Sequence, residues 1–421
     1  MFKTLINAWK VPDLRKKIIY TLMMLFVYRL GAHVPIPGIN VAFVSEQINN
    51  SMLFGYMDIF SGGALANLTI FALGIMPYIN SSIIMNLLPM AIPALEKMVK
   101  EGPDGRRKIA SITRYLTVVL GLVMAIGIVI SLGDGALYEA TFFNKATVVL
   151  CLTAGTALIM WIGEKINEAG IGNGISLIIF ISIVSRLPEM ARIMFTTTFV
   201  DQSMGYASFF GVIVVMFAVV TGIVFVDSGE RRIPVQYAKR VVGRKMYGGQ
   251  STFIPMKINQ SGVLPLIFAM TLMQFPAIII QTFLSGSQFD LFYGNYLAAG
   301  SAVYAVIYAL LIFFFTFFYT QISFNPVEVS KNIQGNGGFI LGIRPGKPTS
   351  DYLTKILSRI TLFGALFLAM IAAVPTLMSS ISAIAGGVFG ATSLLIMVNV
   401  SLETTKQIES QMMMRHYKGF L

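Results

Sequence analysis

Apolar residues in this chain gather into long, nearly unbroken runs separated by short polar stretches. Ten runs are long enough to cross a bilayer, at about 20 residues per crossing. They lie near 18–37, 71–90, 115–132, 147–163, 175–194, 208–226, 262–284, 302–321, 360–379 and 383–402. The pattern predicts an all-α polytopic membrane protein with ten transmembrane helices. The first run follows Lys3, Lys10, Arg15, Lys16 and Lys17, as a secretory signal would. It is too long for one and ends in "GAHVPIPGIN" without a small-residue cleavage site, so a retained first span is expected. One stretch departs from the pattern. "FSGGALANLTIFALGIMPYINSS", residues 60–82, is too polar at its front for a span and too apolar for a surface loop, and Gly74 and Pro77 interrupt the start of its apolar half.

Composition agrees with the pattern. Hydrophobic residues make up 56% and charged residues only 12% of the 421, and the mean hydropathy is +0.75. These values exclude a soluble globular chain. The lone cysteine, Cys151, can form no internal disulfide. With His33 and His416 as the only histidines, a histidine metal site is not expected, and no cofactor is called for.

The charges carry topology. Of the 31 Lys and Arg, all but four lie in the two terminal segments and at 91–114, 164–174, 227–260 and 322–359. With ten spans these segments share one side. Lys145, Arg186 and Arg192 fall on the other side, and Arg29 falls within the first span. The positive-inside rule then places both termini in the cytoplasm. Two of these loops exceed what topology needs. "RRIPVQYAKRVV", in 227–260, alternates as an extended strand or hairpin does. In 322–359, Gly335, Gly337 and Gly338 loosen the chain before Pro345 and Pro348 stiffen it. Such basic loops suit an anionic partner, whether RNA, an acidic protein surface or lipid headgroups.

Other chemistry is sparse. Apart from Arg29, and with Arg186, Glu189 and Arg192 read as the outer end of the fifth run, the span interiors lack the acidic, basic or histidine groups that ion-coupled transport needs. There is no H-E-x-x-H, no G-x-S-x-G and no phosphate-binding Walker loop. "GIGNG", 170–174, lies between two spans with no strand before it and reads as the turn that starts the fifth. A small-molecule transporter is disfavoured on these grounds. A purely structural insertase scaffold remains as an alternative to a channel.

"ALGIMPYINSSII", "EGPDGRRKI", "GIGNGIS", "ERRIPVQYAKR" and "LGIRPG", in that order across the chain, resemble the SecY family of bacterial protein-conducting channels. The resemblance implies two pseudo-symmetric five-helix halves, near 1–200 and 201–402, with a cytoplasmic tail at 403–421. It implies a channel in the bacterial plasma membrane that passes unfolded preproteins and releases hydrophobic segments sideways, without catalysis of its own. Its partners would be SecE, SecG, the motor ATPase SecA, the ribosome through its RNA, preprotein signal sequences and membrane lipids.

Residue by residue, the resemblance implies a short plug helix from about Ile59 to Leu68. It would comprise Phe60, Ser61, Gly62, Gly63, Ala64, Leu65, Ala66 and Asn67, with Gly74 and Pro77 breaking the chain before the second span. A pore ring falls on Ile79, Ile83, Ile175, Ile179, Ile267 and Ile396, with Leu264 one turn before Ile267. Aliphatic side chains would dewet a narrow gap there and give ions nothing to replace their hydration. A lateral gate between the second and seventh spans would carry Ser82, Asn86 and Gln274. Contacts to SecA or the ribosome fall on Arg231, Arg232, Lys239, Arg240, Arg244, Lys245, Arg344 and Lys347.

Overall fold

The computed structural model describes residues 8–50, 52–201, 205–237, 240–242, 245–247, 251–283, 288, 293–297, 301–381 and 391–416. Each of the ten apolar stretches contains a helix. Among the described residues, six helices are long and apolar enough to cross a membrane singly. The bent pair Met76–Pro89 and Pro93–Val99, its halves meeting at 101°, makes a seventh if it is one broken span. The chain is a multi-pass membrane protein.

Contacts divide it into two compact units: Met1–Gln202 with Thr271–Ser301 and Val400–Leu421, and Ser203–Met270 with Ala302–Asn399. The first unit opens with α1 (Pro12–Gly31), which starts and stops about six residues earlier than the apolar run suggests. Pro12 supplies the helix start, and the Lys and Arg that follow are tolerated on a helix end that need not enter lipid. Two short helices follow, α2 (Val41–Asn50) and α3 (Met52–Ser61). Then α4 (Met76–Ala91) begins five residues inside the expected second span. Gly74 has φ +58° and Pro77 lies in the first turn of α4, so residues 71–75 stay outside it. Next come α5 (Pro93–Lys100), α6 (Pro103–Leu132), α7 (Phe142–Ala169) and α8 (Gly174–Phe195). The "GIGNG" turn behaves as expected. Asn173 caps α8, its side-chain oxygen accepting from the backbone N–H of Ile175 at 3.1 Å and of Ser176 at 3.4 Å.

The core of this unit is built by α2, the 61–75 segment, α6 and α7. Val44, Ile48, Leu65, Leu68, Leu73, Ala125, Ile128, Val148 and Leu152 are all buried in it. Helices α6 and α7 meet where Gly121 faces Thr156, a small-on-small contact of the kind that lets membrane helices approach closely. A much closer approach is at Gly155, where any Cβ would overlap the backbone carbonyl of Ile70. Gly155→Val is therefore expected to destabilise the unit by on the order of 1–3 kcal/mol. Thermal unfolding of the detergent-purified complex checks this, with Gly121→Ala as the control. A Cβ at Gly121 meets only ordinary contacts, the nearest at 3.6 Å.

The second unit begins with α9 (Tyr206–Ser228). The 227–260 loop then forms the hairpin its alternation predicts: β1 (Glu230–Tyr237) pairs antiparallel with β4 (Ser251–Lys257), from Glu230↔Lys257 to Gln236↔Ser251. Between them, β2 (Arg240–Val242) and β3 (Lys245–Tyr247) make a second, smaller hairpin. Beyond the sheet lie α10 (Leu264–Phe283), α11 (Ala302–Ser323) and α12 (Pro326–Gly335). The two-residue β5 (Gly338–Phe339), α13 (Lys347–Ile381) and α14 (Ala391–His416) complete the chain. Strand β5 pairs with the end of β1, giving the order β4-β1-β5. The loops at 227–260 and 322–359 thus join in one subdomain. Ile233, Val235, Met256, Ile333, Ile340, Leu353 and Leu357 form its core, which runs onto the base of α13.

Candidate functional site

The segment after α3 forms no helix and is held at its front by polar ties. The helix implied from Ile59 to Leu68 is not formed. The α-helix ends at Ser61, and residues 62–75 run as successive turns. The cause is local. Gly62 and Gly63 take φ of +70° and +87°, and Leu68 takes +37°. These left-handed conformations stop a right-handed helix. Side chains then replace the lost ladder. The Asp58 carboxylate accepts the Ala66 N–H at 2.8 Å and the Ser61 hydroxyl at 3.4 Å, while Ser61 Oγ accepts the Leu65 N–H at 3.1 Å. Asn67 is exposed and donates to the Gly63 carbonyl at 3.1 Å.

Two helices form the seat. From α1, Arg29 Nη1 donates to the Gly62 carbonyl at 2.8 Å, and the Tyr28 hydroxyl lies 2.7 Å from Ser182 Oγ of α8. A Cβ on Gly62 would come within 3.0 Å of Ser182 Cα, so a larger residue there would have to lift the segment off α8. The Asp58 carboxylate, 1% exposed, forms an ion pair with Arg186 of α8. Arg186 also donates to Glu189 at 2.9 Å. Ala64, Leu65 and Leu68 are buried, and Ala66 is half-buried. The Phe60 side chain lies outside the described residues.

Asp58, Arg186, Tyr28 and Ser182 are the residues that sequence pattern misses. Charge counting places Arg186 on the outer side and treats the spans as almost free of ionisable groups. In the structure Arg186 lies within α8 and reaches a buried carboxylate, a pairing that charge counting does not reveal. A signal was present. Asp58 is the only acidic residue between Glu46 and Glu96, and it precedes a glycine pair in an apolar setting.

The implied ring residues divide between the units. In the first, Ile79 and Ile179 are buried, and Ile83 and Ile175 are half-buried, one helical turn from each. Ile175 packs beside Gly163 of α7. In the second, Ile396 is buried at 1%, Ile267 is half-buried, and Leu264 is 45% exposed. On α10 the neighbours Leu266, Phe268 and Ala269 are buried instead, so Leu264 is turned away from that unit's packing. Of the implied gate residues, Ser82 is half-buried and Asn86 exposed on α4. The side chain of Gln274 lies outside the described residues.

Of the implied basic residues, two lie on the three-stranded sheet. Arg231 and Arg232 are exposed on β1. Arg232 pairs with Glu230 at 2.6 Å and lies 4.8 Å over the Phe253 ring. Arg240 and Lys245 occupy β2 and β3, but their side chains, like Lys239 and Arg244 entirely, lie outside the described residues. Arg344 and Lys347 are exposed around the turn before α13. That turn is tied down. The Thr349 hydroxyl donates to the Arg344 carbonyl at 2.9 Å, and the Ser330 hydroxyl donates to the Gly346 carbonyl at 2.7 Å.

Comparison with known proteins agrees with this architecture. The family model described as SecY matches residues 69–405. The protein translocase subunit SecY of Streptomyces coelicolor is 46% identical, with 100% of both chains covered. Its counterpart in Mycobacterium bovis is 45% identical, with the same coverage. Among solved structures, a protein-conducting channel superposes with a TM-score of 0.64 at 17% identity over 96% of each chain. Sec61 in the canine ribosome–channel complex gives 0.63 at 16% identity, again over 96% of each chain. At such identities the structural likeness speaks to the fold. The sequence matches, which run the length of the chain, go further: the chain belongs to the SecY family.

Proposed function

We propose that the chain is the pore-forming subunit of a protein-conducting channel in the bacterial plasma membrane, with both termini cytoplasmic. It passes unfolded preproteins outward and releases hydrophobic segments into lipid between α4 and α10, near Ser82, Asn86 and Gln274. The carrying observation is the front of the segment after α3, residues 62–67, which forms no helix and, with the adjoining Asp58, is tied to α1 and α8 by polar contacts, Leu65 being its one large apolar anchor. A short piece held in this way can leave and return while residues 68–75 stay packed in the core. A full apolar helix would partition into lipid or stay packed. In this reading 60–67 is the plug. Ile79, Ile83, Ile175, Ile179, Leu264, Ile267 and Ile396 form an aliphatic gasket that fits around any extended chain.

Force comes from outside, from the SecA ATPase or the translating ribosome, with SecE and SecG completing the channel. The exposed Arg231, Arg232, Arg344 and Lys347 on one subdomain support docking of such partners. The canine Sec61 that shares this fold is itself part of a ribosome–channel complex. Reconstitution tests the function. Vesicles holding this chain with SecE and SecG, supplied with SecA and ATP, should take a preprotein into a protease-protected state, and vesicles lacking the chain should not. Equal protection in both would sink the proposal.

The docking face carries a second test. Neutralising Arg240, Arg244 and Lys245 together should weaken ribosome binding. It should also flatten the dependence of log affinity on log salt by about one unit for each RNA phosphate no longer neutralised. Unchanged affinity and slope in a salt titration would assign these residues to topology alone.

A further inference from the structure

A carboxylate shut away from water is costly unless it is both paired and hydrogen-bonded. Asp58 meets both conditions, but through different groups. The N–H of Ala66 and the Ser61 hydroxyl need only an acceptor oxygen, which an asparagine amide would supply equally well. The negative charge is surplus to the turn. It is used by one group, the Arg186 guanidinium on a separate helix. Arg186 in turn has a choice of carboxylates. Besides buried Asp58 it holds Glu189, 2.9 Å away and 59% exposed. Its Nε is buried with no hydrogen-bond partner, so the guanidinium is not fully satisfied where it lies.

We propose that Asp58 and Arg186 form a releasable latch, a positioning pair that holds residues 60–67 in their seat, with Glu189 keeping the guanidinium paired once those residues depart. The proposal rests on the plug reading above. Leu65 and Leu68 pack into the apolar core, whereas the ion pair is the charged tie between α3 and α8. On release Asp58 regains water and Arg186 is not stranded, so opening is reversible. Asp58 and Arg186 set the resting position, and Glu189 sets how readily the open state is reached.

Single-channel recording of the complete complex in planar bilayers tests this, alongside export of a preprotein with a defective signal. Arg186→Gln leaves a buried, unpaired charge and should raise the resting leak about ten- to a hundredfold. Asp58→Asn keeps the acceptor of the turn and should raise it less. The double variant should leak less than the product of the two single effects, because it removes one interaction and not two. Arg186→Lys should stay within about threefold of the parent. Glu189→Gln should leave the resting leak unchanged but lower signal-triggered opening, a change that a merely structural pair would not produce. A quiet Arg186→Gln channel, or strictly multiplicative single effects, overturns the latch. Deleting 60–67 in the same series separates the two claims. Leak in that deletion with quiet latch variants removes the latch alone, and no leak in any of them removes the plug reading and the latch with it.

Discussion

Deleting residues 60–67 is expected to turn a silent channel into one with intermittent ion leak while preprotein export continues. A closed channel must hold ions back against about 2.3 kcal/mol per charge at 100 mV. We assign that block to two layers, the gasket and the segment seated beside it. Helix α4 begins at Met76, beyond the deletion, so the second span should form as before. The deletion removes Leu65 from the core and Gly62 from Arg29, but spares Leu68 and Asp58. Flanking residues can then refill the seat in part, which makes the leak intermittent. Adding Ile83→Asn and Ile179→Asn should wet the constriction and raise the leak further. It should also relax the signal-sequence requirement, because a less stable closed state needs less binding energy to open. Planar-bilayer recording reads the leak, and export of a signal-defective preprotein reads the requirement. A tightly closed baseline in the combined variant would put the seal elsewhere.

Arg344→Glu should lower SecA-driven export at least tenfold while leaving the channel folded and assembled. The side chain is exposed at the turn before α13, and surface replacements of this kind usually change stability by less than about 0.5 kcal/mol. The backbone there is held by the Thr349 and Ser330 hydroxyls, whose bonds do not involve the guanidinium. A folded loop presenting the wrong charge is the expected result. Copurification with SecE and an unchanged unfolding temperature establish the fold, and ATP-dependent transport into vesicles reads the function. Normal transport by the variant would remove Arg344 from the docking face.

Helices and hairpin were legible because each follows from a run or an alternation. Long apolar stretches must satisfy their backbone within lipid, so each became a helix, and "RRIPVQY" became β1. Helix ends were less legible. Pro12 and Pro77 fixed starts that hydropathy alone puts elsewhere, five or six residues away. The seat was hidden for another reason. Asp58 stands in no recognisable pattern and Arg186 reads as an outer-side charge; folding brings α3 against α8, and no local period records that contact. The pairing of β5 with β1 was equally silent, since two residues carry no pattern of their own.

That short pairing makes the two basic loops a single module. Gln236 opposite Phe339 and Tyr237 opposite Gly338 bind segments about a hundred residues apart in the chain. A Cβ on Gly338 would sit 2.8 Å from the Tyr237 ring, so drift at one position restricts what the other can accept. Chimaeras between relatives should therefore exchange 227–260 and 322–359 together. Importing one loop alone would join a strand to an edge shaped for a different neighbour, and the proposed docking face should be lost without any change to the basic residues on it.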